Sequence, residues 1–231
     1  MVKKYAIIVA GGKGERMNTA LPKQFLTISE IPVLMHSMQA FFEYSPTVDI
    51  VVVLPEDQIR LWNNLCDKHT FEIPHTIIAG GKTRFSSVKN GLKLVGDDGF
   101  VAIHDGVRPV IKPILIKACY EHAKQFGNAI PVIEVNESVR LVNDENTENK
   151  KIKRDRVKIC QTPQIFRCAD IKKAYQQSYK DIFTDDAAVL ESAGHKIHLI
   201  PGSPTNIKIT TPLDLNIAEI IISQNRPLLS N

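Results

Sequence analysis

The chain has only four cysteines in 231 residues, Cys66, Cys119, Cys160 and Cys168, and no two of them stand as Cys-x-x-Cys. That excludes the disulfide framework of a small secreted domain and the paired thiolates of a structural zinc site. Lying inside apolar or helical patterns, they read as reduced, partly buried thiols of a cytoplasmic protein. Long hydrophobic runs are missing too. The run after Lys3-Lys4 ends at Gly11 and charges follow at once. It is neither a signal peptide nor a bilayer span, which takes roughly 20 apolar residues, so no membrane is expected. A dominant charge sign is also absent: 29 Lys and Arg against 25 Asp and Glu leave +4, spread along the chain. The densest basic run, Lys150-Lys151-Ile152-Lys153-Arg154-Asp155-Arg156, suits nucleic acid, open water or a small phosphate, and without a basic stripe elsewhere no nucleic-acid partner is expected. Repeats and low-complexity tracts are lacking as well.

What is present is enough apolar material, 43% of residues, to build the core of a single domain over residues 1–231. Short β-branched runs at 5–9, 50–54, 76–79, 100–103, 129–135 and 197–200 alternate with helix-compatible spacing at 34–42, 57–69, 85–95, 113–126, 169–179, 185–193 and 213–223. Several runs are apolar on successive residues, as strands covered on both faces are. The alternation predicts an α/β fold with a doubly wound, mostly parallel, Rossmann-like sheet. Ligands on such sheets bind at the carboxyl ends of the strands, which here carry Ala10-Gly11-Gly12, Pro55, Gly80-Gly81 and His104-Asp105-Gly106. Residues 134–159 break the pattern, with two weakly alternating stretches around a polar turn at 143–149. They read as a projecting β-hairpin arm or as a surface loop. Because an isolated hairpin is marginal in water, an arm implies a partner surface, and a second copy of the chain is the economical one.

The stretch VAGGKGERMNTALPKQF follows the first strand directly. Glycines at a strand-to-helix turn let backbone N–H groups surround a phosphate, and Gly11, Gly12 and Gly14 fit that role, although such turns also serve packing. A P-loop is excluded because no Gly-Lys-Ser/Thr ends the loop, and a dinucleotide fingerprint is excluded because Met17 stands where its third glycine belongs. Arg16 and Lys23 beside the glycines suit a triphosphate, whose charge they would offset as phosphorus is attacked.

These residues, together with Leu21-Pro22-Lys23-Gln24, resemble the signature of the 2-C-methyl-D-erythritol 4-phosphate cytidylyltransferases of the non-mevalonate isoprenoid pathway. The resemblance continues through Ala79-Gly80-Gly81 with Arg84 and Ser87, His104-Asp105-Gly106-Val107-Arg108-Pro109, Gln161-Thr162-Pro163-Gln164, Thr184-Asp185-Asp186-Ala187 and Asn206-Ile207-Lys208-Ile209-Thr210. It implies a transferase that joins the acceptor's phosphate to the α-phosphate of CTP and releases pyrophosphate, with Mg²⁺ or another divalent cation, as a homodimer through the arm. It places Ala10, Gly11 and Gly12 in the cytidine pocket, Gly14, Arg16 and Lys23 on the triphosphate, and Gly81 and Ser87 on cytosine.

The same resemblance gives Asp105 to ribose, acceptor or metal, and gives Arg108, Thr162, Thr184, Asp185 and Lys208 to the acceptor, with Lys208 also near the transferring phosphoryl group. From the arm it brings Ser138, where the family has Thr, and Arg154, with Arg156 competing for that place. Taken one by one, Asp105 also reads as a turn or cap residue, Thr184-Asp185 as a helix cap, Lys208 as a surface cation and Arg108 as half of an ion pair. An acceptor phosphate is already anionic and needs no general base, so His104 reads as structural and Arg16, Lys23 and Lys208 as the catalytic cations. Alternatives are a cytidylyltransferase for ribitol 5-phosphate or another polyol phosphate, and a nucleotide-binding regulator that has lost catalysis.

Overall fold

The structure is a computed structural model and describes residues 2–12, 17 and 21–224. Along the chain run β1 (Lys4–Val9), the ribbon β2 (Thr27–Ile28) and β3 (Ile31–Pro32), α1 (Val33–Tyr44), β4 (Asp49–Leu54), α2 (Ile59–Lys68) and β5 (Thr76–Ala79). Then come α3 (Arg84–Leu92), β6 (Phe100–Asp105), α4 (Pro113–Phe126), β7 (Asn128–Glu134), β8 (Arg140–Val142) and β9 (Asn149–Lys151). The chain continues through β10 (Lys158–Cys160), β11 (Gln164–Arg167), α5 (Cys168–Ala174), α6 (Asp186–Ser192), β12 (Leu199–Pro201) and α7 (Pro212–Gln224).

The successive apolar residues of the strands have a simple destination. Side chains alternate across a strand, and here both faces are covered. Ala6 and Ile8 of β1, Ile50, Val52 and Leu54 of β4 and Ala102 of β6 enter one cluster with α1, α2 and α4. Ile7 and Val9, Val51 and Val53, Val101 and Ile103 enter another with α3, α5 and α6. A fully buried side chain of this size contributes about 1.5–3 kcal/mol, so the paired cores hold the sheet in register.

Eight strands form the main sheet in the order β10-β7-β11-β6-β1-β4-β5, with β12 also on β7. β1 lies parallel between β4 and β6, β5 is parallel to β4, and β12 is parallel to β7. β11 and β10 run antiparallel to their neighbours, so the sheet is mixed although mostly parallel. Because β4 and β5 lie to one side of β1 and β6 to the other, a crevice opens at the carboxyl ends of these strands, where such folds hold ligands. Two glycines set the helices. Gly91 lets α3 lie close on the sheet, for a Cβ there would stand 2.8 Å from Ile7 Cγ2. Gly127, at φ 89°, ends α4 in the left-handed conformation that glycine adopts without strain.

β8 and β9 pair antiparallel with each other, Arg140 opposite Lys151 and Val142 opposite Asn149, and all their residues are exposed. Three helices fall short of the sequence expectation by two residues or more at one end: α5 stops at Ala174, short of 179, α3 stops at Leu92, short of 95, and a 3-10 turn at Glu56–Gln58 precedes α2.

Candidate active site

The end of β1 supplies backbone. Gln24, fully buried in the 3-10 turn Lys23–Phe25, donates from Nε2 to the Ala10 carbonyl at 2.8 Å and to Gln58 Oε1 at 2.7 Å. That fixes the first peptide of the glycine turn. Lys23, from the same 3-10 turn, lies over Gly12 and donates from Nζ to the Ile209 carbonyl at 3.2 Å. Gly14 and Arg16 lie outside the described residues.

The end of β5 and the start of α3 supply a second wall. Thr83 caps α3 by accepting from the Ser86 N–H at 3.0 Å, and Ser86 returns the bond to the Thr83 N–H, a reciprocal cap that fixes the helix entry. The cap brings Ser87 Oγ to the Gly81 N–H at 3.1 Å. The pair expected to read one base is therefore in mutual contact.

Asp105, at the end of β6, is the centre of charge. Arg84 Nε stands 3.3 Å from its Oδ1, Lys208 Nζ 2.9 Å from its Oδ2 and Arg108 Nε 3.8 Å from Oδ2. Burial alone raises a carboxyl pKa, but Arg84, Lys208 and Arg108 together reverse the effect and hold Asp105 well below the usual carboxylate range. It is an anion in a cationic ring, and its backbone also opens the turn that the sequence suggested, its carbonyl accepting from the Arg108 N–H at 3.0 Å. Arg108 is buried, donates from Nη1 to the Asn206 carbonyl at 2.8 Å, and has its pKa lowered by burial and by Arg84 against the pull of Asp105.

A cleft of about 210 Å³ joins these walls, lined by Val9, Ala10, Gly11, Gly12, Lys23, Gly81, Lys82, Thr83, Arg84, Ser87, Asp105, Val107 and Lys208. It thus gathers Ala10, Gly11, Gly12, Lys23, Gly81, Ser87, Asp105 and Lys208 of the residues singled out in the sequence. The other described ones are not part of the lining. Thr162 Oγ1 accepts from the Asp105 N–H at 3.0 Å and pairs with His104 Nδ1 at 3.0 Å, so it steadies the strand end. Asp185 caps α6, accepting from the Ala188 N–H at 2.9 Å and from Gln164 Nε2 at 2.8 Å, while Thr184 beside it is exposed. Ser138 and Arg154 are exposed on either side of the β8–β9 pair, where Arg154 donates to the Asn136 carbonyl at 2.7 Å, and Arg156 is exposed as well.

His104 is fully buried, edge-on to Phe41, with its pKa lowered to about 3 by burial, so it stays neutral and structural. Burial pushes the thiols of Cys119 and Cys168 up to about 12 and that of Cys66 to about 11, leaving them protonated and inert. Sequence reasoning left Lys82, Thr83 and Arg84 unassigned, although Arg84 stood inside a quoted motif. The signal that could have found it is a cation in the first turn of a helix that follows a parallel strand, beside a neighbouring strand that ends in Asp.

A doubly covered sheet with a glycine turn and a cation-lined crevice at its strand ends defines a class, the α/β nucleotidyltransferases. The family model of 2-C-methyl-D-erythritol 4-phosphate cytidylyltransferase matches residues 4–224, and the chain belongs to that family of CTP-dependent enzymes, which transfer CMP to methylerythritol phosphate in isoprenoid biosynthesis. The enzyme of that name from Bacteroides thetaiotaomicron is 47% identical over 96% of this chain and 100% of its own length, and that from Phocaeicola vulgatus 46% identical over the same shares. Among solved structures, the 4-diphosphocytidyl-2C-methyl-D-erythritol synthase of Anaerococcus prevotii superimposes with a TM-score of 0.81 at 25% identity, covering 96% of each chain. The Francisella tularensis 2-C-methyl-D-erythritol 4-phosphate cytidylyltransferase gives 0.77 at 30% identity, covering 95% of this chain and 99% of its own.

Proposed function

We propose that the cleft at the ends of β1, β5 and β6 is where this chain performs the family's transfer, residues 1–231 acting as one nucleotidyltransferase domain with 134–159 as its arm. An oxygen of the acceptor's phosphate attacks the α-phosphorus of CTP in line, the bond from that phosphorus to the bridging oxygen breaks, and pyrophosphate leaves with the electron pair. No proton has to move. The task is to bring one polyanion onto another, which calls for alignment and positive charge in a site with little water. Ala10, Gly11, Gly12 and Gly14 bind the nucleotide through backbone, Arg16 and Lys23 take the triphosphate, Gly81 and Ser87 read the pyrimidine, and Lys208 offsets charge at the transferring phosphorus. Arg108, Thr162, Thr184 and Asp185 form the acceptor side. The observation that carries the reading is that Lys23 and Lys208, far apart in sequence, line one cleft with the glycine turn and with Asp105, the carboxylate that Lys208 pairs.

Mg²⁺ fits this donor set. Among the described residues no group of three or more His, Cys, Asp or Glu gathers as a metal site, and a Mg²⁺ held by one carboxylate and phosphate oxygens requires none. Asp105 would hold it, and the ion would neutralise phosphate charge. A cytoplasmic setting agrees with the unpaired cysteines, and among the described residues no helix is long and apolar enough to cross a membrane. A homodimer through the arm would cover the exposed Leu141 and Val142, and would bring Ser138 and Arg154 to a neighbouring site. Pyrophosphate release is the test: CTP with 2-C-methyl-D-erythritol 4-phosphate should turn over, while ATP, GTP and UTP with that acceptor, and CTP with ribitol 5-phosphate, should be poor. Calorimetry with magnesium and CTP that registered no binding to folded protein would refute the assignment.

A further inference from the structure

Arg84 touches two carboxylates in different parts of the fold. Its Nη1 and Nη2 donate to Oδ1 and Oδ2 of Asp186 at 3.0 and 2.7 Å, a fork that fits a carboxylate plane, while its Nε reaches Asp105 in the cleft. Asp186 is fully buried in the first turn of α6 and lines no part of the cleft, and Tyr175, just past the end of α5, donates from its hydroxyl to Asp186 Oδ1 at 2.6 Å. Asp105 in turn holds Lys208. The contacts form one unbroken line, Tyr175–Asp186–Arg84–Asp105–Lys208, crossing from the helices of one face to the segment before α7. Each member has a single clear task. Tyr175 fixes Asp186, Asp186 fixes the guanidinium plane, and the guanidinium fixes the carboxylate against which Lys208 rests.

We propose that Arg84 is a positioning residue, set from outside the cleft by Asp186 and Tyr175, that holds Asp105 and through it the Lys208 ammonium where charge develops during transfer. The inference rests on the cleft being the site of transfer. A lysine in its place keeps the charge but loses the planar fork, so it can satisfy one carboxylate or the other and not both.

The test is steady-state kinetics of Arg84→Lys, Tyr175→Phe and the double variant, with CTP affinity from calorimetry. Arg84→Lys should lower kcat about 10- to 100-fold while the CTP dissociation constant moves less than about 3-fold, because displacement of a catalytic group costs the transition state most. Tyr175→Phe should lower kcat several-fold in the native background and not at all beside Arg84→Lys, the non-additivity expected of residues in one network. A merely structural role moves neither the division between kcat and affinity nor that non-additivity. The proposal is overturned by near-normal kcat in Arg84→Lys, by a loss confined to CTP affinity, or by equal effects of Tyr175→Phe in both backgrounds. Should Arg84→Lys not fold, Tyr175→Phe alone decides: a lowered kcat at unchanged CTP affinity supports the line, and an unchanged kcat overturns it. Failure of the underlying reading looks different, since Lys23→Ala would then leave turnover intact.

Discussion

Two ion pairs in this molecule use the same chemistry in opposite surroundings. Arg84 meets Asp186 where the carboxylate is wholly out of water, whereas Lys158 meets Glu134 where β10 pairs with β7, with the carboxylate 67% exposed. Around the first, Tyr175 and Asp105 add partners, and burial, which by itself lowers the Arg84 pKa, is outweighed by Asp186 and Asp105, so that it stands well above the ordinary value. Around the second, water competes. Desolvation is what turns a contact into a constraint: removing one partner leaves a bare charge in the interior in the first case and a hydrated one in the second.

The contrast can be broken by substitution. Asp186→Asn removes one of the guanidinium's two counter-charges and leaves Asp105 as the other, and should cost about 1.5–3 kcal/mol of stability in urea unfolding; a cost below that of an ordinary surface change would mean that water reaches the pair. Lys23→Ala acts on chemistry and leaves the fold alone, with kcat about 10²- to 10³-fold lower and an unaltered circular dichroism spectrum. Near-normal turnover would remove Lys23 from catalysis.

A third prediction uses pH. His104, held near 3 by burial, is neutral in the fold, while the unfolded chain's histidine titrates near the ordinary 6.5. The unfolded state therefore takes up the proton first. Stability is fully present above about 6.5 and falls as pH drops from there toward 3, by about 1.4 kcal/mol per unit and about 2 kcal/mol by pH 5. Asp105, whose pKa is also depressed, adds its loss only at more acid pH, below about 4. Urea titrations at pH 7 and 5, repeated on His104→Gln, should show the difference shrink in the variant. The smallest effect belongs to the exposed pair, where Glu134→Gln should change unfolding free energy by less than about 1 kcal/mol, and a larger change would show the β7–β10 pairing to be more tightly built than its exposure implies.

Much of the sheet was legible in the sequence because its strands carry continuous apolar runs: 76–79 is β5 to the residue, and 50–54 and 100–103 fall inside β4 and β6. β11 was not, although it lies centrally between β6 and β7. Gln164-Ile165-Phe166-Arg167 is too short to show a period, and its antiparallel direction is set by its neighbours. In the site, the glycine turn and the cations that follow strands were readable because motif spacing and strand ends coincide there. Arg84 and Asp186 were not assigned, because what distinguishes them is their contact with each other across 102 positions, which no local pattern records. The cap that Asp185 makes on α6 was readable, for a helix cap was one reading of Thr184-Asp185, whereas the bond of Thr162 to the Asp105 N–H came from tertiary packing.

The clasp of Gln24 on the Ala10 carbonyl reaches further than its own two atoms. A trans peptide is flat, so its oxygen and the hydrogen of the following residue point in opposite directions. With the oxygen turned inward to the carboxamide, the hydrogen on Gly11 is turned away from it, and Gly11 borders the crevice. An interior side chain that lines no part of the crevice thereby sets the orientation of a backbone donor at its border, as a keel steers a hull from below the waterline.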